Sequence, residues 1–239
     1  MSEKKLVIPD WPAPDCIHAA TSTRQLGNMA TQSAQDAGET ITNRNSLHRA
    51  LNLPEMPYWL NQTHSTRVTC LDQPPEVSPN SDAAFTSITN RVCAVLTADC
   101  LPILVCSKSG AEVAAIHAGW RGLLGGILDN TINAMKSAAS DLIAWIGPAI
   151  GVNAFEINDE IKSHFLQHSC FKKDAFIKEG QHLYADLYQL ASANLQALGI
   201  CAISGKEYCT YTDESLFFSH RREQKKAGRM ATLIWISAS

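Results

Sequence analysis

The feature that most constrains how this 239-residue chain can fold is a change of hydrophobic period in its middle. Residues 91–106, RVCAVLTADCLPILVC, and 112–117, EVAAIH, are short apolar runs on either side of a polar SKSG. That is the pattern of two adjacent strands joined by a tight glycine turn. Directly after HAGWRG, apolar residues recur at steps of three and four: Leu124, Ile127, Leu128, Thr131 and Met135. A helix is therefore predicted to start at once from a glycine-rich turn.

The remaining periodic segments set the fold class. DLIAWIG (141–147) has the composition of a buried strand, and KEYCTYT (206–212) and RMATLIWI (229–236) are strand-like as well. Two further helices are expected. One carries Ile157, Ile161 and Phe165 on a face, and the other carries Leu183, Leu187, Leu190, Asn194 and Leu198, with Gly199 as its C-terminal stop. Strands outnumber helices and the two do not alternate strictly. The expected class is α+β, a single domain over residues 1–239 with mixed β-sheets flanked by helices, rather than a doubly wound sheet. Two polar stretches, 28–46 and the proline-rich 72–82, read as surface loops able to rim a site.

Composition narrows the partners. The formal net charge is -3, so no global basic field exists to hold a nucleic-acid backbone or an anionic membrane surface, and small molecules are the expected partners. The opening MSEKKLVIPDWP has no apolar stretch of signal-peptide length, and no later run approaches a bilayer span. A cytoplasmic location follows as the expectation. The chain has eight cysteines, but Cys93, Cys100 and Cys106 lie in apolar segments and no CxxC pair occurs, so reduced thiols are expected.

Three metal-ligating residues stand at the ends of apolar segments: His64 after PYWLNQT, Cys100 before Pro102, and His117 at the end of EVAAIH. A thiolate with two imidazoles suits zinc, and three protein ligands leave the fourth tetrahedral position open, as in catalytic sites. Their separations match no compact ligand motif, and two ordinary histidines plus a buried thiol remain an alternative. HAGWRG would aim backbone N–H groups at an anion with Arg121 as a bidentate partner, unless its glycines only make a turn and Arg121 is a solvated cap. Arg24, Arg221, Arg222 and Arg229 are further cation candidates, with one arginine of SHRREQKK expected to face the site. Asp82 and Asp99 either orient an imidazole or take a proton, or else cap turns.

TADCLPI (97–103), HAGWRG (117–122), WIGPAIG (145–151), CTYT (209–212) and SHRR (219–222) occur in this order. Together they resemble the laccase-domain, or polyphenol oxidase, family of the YfiH type, from about Trp59 to the end of the chain. The resemblance implies a fold like that family and the cytotoxic necrotizing factor catalytic domain, with a zinc site at His64, Cys100 and His117. It implies a purine nucleoside phosphorylase acting on inosine, adenosine and methylthioadenosine with phosphate, and adenosine deaminase activity. Substrate contacts are expected from Arg24, Gln62, Asp82, Asp99, Arg121 and Arg222, with Trp120, Tyr211, Phe217 and Phe218 available to stack on a purine. The chain departs from the family pattern at QTHS, where Ser65 replaces a glycine. It departs again after Ser22, Thr23 and Arg24, where polar NMATQSAQ replaces a glycine-rich stretch.

Three rival readings follow from the same residues. True laccase chemistry is disfavoured because no H-x-H pair exists to build a trinuclear copper cluster, although a thiolate site binds copper offered in vitro. Cys100 as nucleophile with His117 as base would make an amidohydrolase, and for such an enzyme the family resemblance implies editing of the peptidoglycan precursor UDP-muramoyl-L-serine. A non-catalytic metal-binding module would need a fourth protein ligand that the chain does not obviously supply. Nothing in the sequence sets the oligomeric state.

Overall fold

The computed structural model describes residues 4–31, 37–73, 75 and 77–238. The N-terminal third contributes β1 (Leu6–Val7), β2 (Ile17–Ser22), α1 (Ala37–Leu51), β3 (Val68–Cys70) and β4 (Ala83–Thr86). The middle supplies β5 (Cys93–Thr97), β6 (Leu101–Ser107), β7 (Val113–Ala118), α2 (Trp120–Gly125), α3 (Ile127–Ala134) and β8 (Leu142–Ile146). Then come β9 (Glu156–Ile157), α4 (Asp159–Leu166), β10 (Phe176–Glu179), β11 (His182–Ala185), α5 (Leu187–Ala197), β12 (Ala202–Gly205), α6 (His220–Glu223) and β13 (Met230–Ile236). No helix among the described residues is long and apolar enough to cross a membrane.

These strands form a six-stranded sheet of order β12-β8-β6-β7-β4-β3, a four-stranded sheet β1-β2-β13-β5 and a small sheet β10-β11-β9. The six-stranded sheet is mixed: β12 with β8 and β3 with β4 run parallel, and the other pairs antiparallel. This is the α+β architecture with mixed sheets expected above.

The continuous apolar character of β6 has a direct cause, because both faces of the strand are covered. Ile103 and Val105 face a cluster with Leu128 of α3 and Leu190 of α5, whereas Leu104 and Cys106 face Val95 and Ile234 of the four-stranded sheet. A strand buried on both sides has no polar face to alternate with. The far face of the four-stranded sheet is covered in turn: Ala94, Leu233 and Trp235 cluster with Leu47 of α1 and with Met29.

The hairpin anticipated around SKSG is present, with Leu101 opposite Ala118 and Cys106 opposite Val113, and Gly110 takes a positive φ of 75° in the turn. Several boundaries differ from expectation. Residues 91–106 form two strands in different sheets, broken at Asp99, whose φ is 85°. The helix after HAGWRG is interrupted at Gly126, where φ is 91°, giving α2 and α3. Leu183 lies in β11 and Ile157 in β9, because Asp186 and Asn158 cap α5 and α4 by accepting from Gln189 N and Ile161 N.

Two expectations are overturned. Residues 37–46, read as part of a surface loop, are the first two-thirds of α1. That helix buries only Thr40 and Leu47, so its apolar stripe is too thin to show a 3.6-residue period. KEYCTYT is not a strand: the pairing strand is β12, just before it, and Cys209 makes only an isolated bridge to Ala149. Tyr208 instead offers its carbonyl to the buried Tyr188 hydroxyl at 2.8 Å. Of 72–82, the described residues lie outside the named strands and helices, as expected.

Candidate metal centre

Asp82 organises the centre. It sits fully buried at the entry to β4, and its carboxylate accepts from the backbone N–H groups of Thr63 (3.2 Å), His64 (3.0 Å) and Ser65 (2.6 Å). The Ser65 hydroxyl donates to the same carboxylate at 2.7 Å. These bonds hold His64 at a φ of 58°, a left-handed conformation that costs an L-residue without such support. Asp82 also accepts from Nδ1 of His117 at 2.7 Å, which β7 brings alongside β4. Because a carboxylate only accepts, Nδ1 carries a proton in either charge state and Nε2 is the nitrogen of His117 that faces the ligand group.

Cys100 enters from the other neighbour of β7. Pro102 pairs with His117 and Leu101 with Ala118, so the residue just before β6 arrives beside the end of β7. Its Sγ lies 3.7 Å from Nε2 of His64, and the ligand atoms of His64, Cys100 and His117 all lie within 4.8 Å of one another. Tetrahedral zinc with bonds of about 2.0 Å to nitrogen and about 2.3 Å to sulfur separates its ligands by roughly 3.6 Å. The donor set therefore fits a metal ion of that kind. Gly119 is needed here, since a Cβ at that position would stand 3.0 Å from both Cys100 Sγ and His64 Cδ2.

Electrostatics agree with ligation. Burial works against a charged Cys100, but His117 and His64 beside it outweigh burial and lower the thiol to about 6. Burial likewise disfavours a charged His117, and the neighbouring Cys100 and Asp82 overcome it and raise its pKa. Burial opposes the Asp82 carboxylate too, yet the hydrogen bonds from His117 and Ser65 hold it well below the usual carboxylate range. The three form a thiolate, imidazolium and carboxylate chain, from which an arriving metal would displace the Nε2 proton of His117.

The ligands open onto a cavity of about 960 Å³. Gln62 lines it, its side-chain amide bonded both ways to the Leu96 backbone (2.8 and 2.7 Å), which ties the His64 segment to β5. Asp99 also lines it, with its oxygens taken by Thr210 Oγ1 (2.7 Å) and Arg221 N (2.6 Å). Arg121 and Trp120 are present, with the exposed guanidinium lying 4.2 Å over its neighbour's ring.

Arg24 and Arg222 are not in the cavity wall. Arg24 pairs with Glu223 at 3.1 Å and lies over Phe218, and Arg222 donates to the carbonyls of Thr210, Tyr211 and Phe217 and pairs with Glu223 at 2.8 Å. Both are committed to holding the C-terminal loops together, as Phe217 is to the core. Arg221 is the arginine of SHRR that reaches the cavity, donating to the carbonyls of Ala154 and Glu156. The wall also contains Arg44, Trp59 and Phe155, which sequence reasoning did not single out.

Among the described residues, a mixed-sheet fold with a His-Cys-His group facing a cavity defines the class of protein. The chain belongs to the family described as multi-copper polyphenol oxidoreductase laccase, which matches over residues 19–237. Among its relatives is purine nucleoside phosphorylase YfiH of Escherichia coli, 41% identical over 97% of this chain and 99% of the relative. A purine nucleoside phosphorylase of Haemophilus influenzae is also 41% identical, over 96% of this chain and 98% of its own. The crystal structure of Neisseria meningitidis protein NMB0706 superposes with a TM-score of 0.92 at 37% identity, covering 98% of this chain and all (100%) of that one. YlmD of Geobacillus stearothermophilus superposes at 0.89 with 25% identity, covering 100% and 98%.

Proposed function

We propose that this chain is a zinc-dependent purine nucleoside phosphorylase acting on inosine, adenosine and methylthioadenosine, with adenosine deaminase activity at the same centre. The observation that carries the reading is the three-ligand group of His64, Cys100 and His117 opening onto a cavity of about 960 Å³. Relatives of the same length bear the phosphorylase name. A zinc ion held by these residues would supply Lewis acidity on the open side of the ligand set. Copper offered in vitro would occupy the same ligands, but one Cys-His-His group among the described residues does not make a trinuclear oxidase cluster.

The chain's own groups account for substrate handling. In phosphorolysis an oxygen of phosphate forms a bond to the anomeric carbon while the bond to the purine nitrogen breaks, through an oxocarbenium-like transition state. Cationic side chains in the cavity wall hold the dianion against that carbon. Trp120 stands in the cavity wall as an aromatic candidate to stack on the purine. Asp82 keeps the proton on Nδ1 of His117 and so keeps its Nε2 available. The test is phosphate-dependent release of hypoxanthine from inosine, paired with metal analysis of wild type and His64→Ala. The variant is expected to lose both zinc and rate, and retention of both would refute the assignment.

One observation favours a second reading. Asp82, His117 and Cys100 form an acid-imidazole-thiol series, the arrangement of a cysteine nucleophile, which suits an amidohydrolase acting on a peptidoglycan precursor such as UDP-muramoyl-L-serine. That chemistry needs no metal ligand from His64, which would only help His117 keep the thiol ionised. Hydrolysis of the precursor by metal-free protein, surviving His64→Ala and abolished by iodoacetamide at Cys100, would establish it in place of the first.

A further inference from the structure

The cavity is cationic in a way the whole chain is not. Its described lining includes Arg44, Arg121, Arg221 and Arg229 against a single carboxylate, Asp99, whereas the chain carries a formal net charge of -3. Asp99 already has both oxygens engaged by Thr210 and Arg221. Positive charge in excess of the acids that share a cavity calls for an anionic guest.

The four arginines are not equivalent. Arg221 is fixed on two carbonyls, and Arg121 is exposed. Arg44 and Arg229 are half-buried, and among the described residues neither makes an ion pair. Burial lowers the pKa of both, Arg44 to about 10, and at Arg229 nearby Cys100 and Asp99 work against that shift.

Each is held through one of its nitrogens. Arg44 donates Nε to the Met29 carbonyl at 2.9 Å and lies 4.0 Å over the Trp59 ring, leaving its terminal nitrogens without a described partner. Arg229 commits Nη1 to the carbonyls of Ala227 and Gly228, and among the described residues no hydrogen-bond partner is seen for Nε and Nη2. One buried residue joins them, for Met29 also donates its N–H to the Arg229 carbonyl at 3.0 Å. Met29 thus ties the Arg44 side chain to the Arg229 backbone, and both arginines line the cavity that holds the Cys100 thiol.

We infer that Arg44 and Arg229 form a tetrahedral-oxyanion subsite in this cavity. The inference rests on the phosphorylase reading for its assignment of the anion as the phosphate co-substrate. Arg121, the partner expected from HAGWRG, is not the anchor. The same chemistry would accept either free phosphate or the phosphoryl group of a nucleotide.

The test measures the phosphate KM at saturating inosine, and separately the binding of inorganic phosphate by calorimetry without nucleoside. Wild type is compared with Arg44→Gln, Arg229→Gln and Arg44→Lys, with zinc content and thermal melting recorded for each. Each glutamine variant is expected to raise the phosphate KM, and to weaken direct phosphate binding, by about tenfold or more. Inosine KM and zinc content should stay near wild type, and Arg44→Lys should recover part of the loss because it restores charge without the fork.

Phosphate binding that needs both arginines in a protein without phosphorolysis would keep the subsite and discard the phosphorylase reading. Weakened inosine monophosphate binding with phosphate binding unmoved would keep the subsite and assign it to a nucleotide. Phosphate binding, phosphate KM and inosine monophosphate binding all unchanged in both glutamine variants, or changed only by Arg121→Gln, would overturn the inference.

Discussion

The two ends of β6 carry the same residue type in opposite states. Cys100, one residue before the strand begins, has its thiol lowered to about 6, while Cys106, inside it, is pushed up to about 12. Burial raises both. The difference is what each sulfur meets: Cys100 faces His117 and His64, and Cys106 faces Val113 and other apolar neighbours in the packed space between two sheets. A strand can thus be core at one end and chemistry at the other, with partners rather than depth deciding which.

The largest expected difference between the two ends is in metal content. Cys100→Ser should abolish stoichiometric zinc and reduce phosphorolysis to background, whereas Cys106→Ala should retain both, as read by metal analysis and a coupled nucleoside assay. Iodoacetamide sharpens the contrast in metal-free protein. Peptide mapping should show Cys100 modified with a midpoint near pH 6, because only the thiolate reacts, and Cys106 untouched in the folded state. Equal labelling of the two would contradict the electrostatic account.

A smaller effect tests the carboxylate behind the reactive end. Asp82→Asn should weaken zinc binding by about 10- to 100-fold, through loss of the charge that orients His117. It should also cost about 2–4 kcal/mol of stability, since four donors and an imidazole lose their ionised acceptor. Folded Asp82 keeps its charge to lower pH than an unfolded aspartate of pKa about 3.9. Its contribution is therefore complete above that value and lost as pH falls below it, so the variant's acid-unfolding curve should be flatter. The smallest effect belongs to the core end. Cys106→Ala should cost about 1–2 kcal/mol in denaturant unfolding by leaving a small void.

What was legible in the sequence follows the same division. Long apolar runs and the period change at HAGWRG announced β6, β7 and the helices after them, because burial on a regular element repeats along the chain. Gly119 was visible as a glycine, but its reason, room for Cys100 Sγ and His64, needed contacts across residues 64–119. His64, Cys100 and His117 stand out by residue type at the ends of apolar segments, but their grouping at one ion rests on the family resemblance, since three single residues on separate elements leave no periodic trace. Arg44 went unnoticed because the polar α1 shows almost no apolar stripe. Arg24 and Arg222 were drawn toward the site by residue type, yet their partners, Glu223 and loop carbonyls, reveal themselves only in three dimensions.

The proposed function stands on one ion bound by two imidazoles and one sulfur. X-ray absorption at the zinc edge of protein loaded with one equivalent of zinc tests it most directly. One sulfur at about 2.3 Å with nitrogen ligands at about 2.0–2.1 Å is the expected shell. A shell of nitrogen and oxygen alone, or a spectrum unchanged by Cys100→Ser, would contradict it.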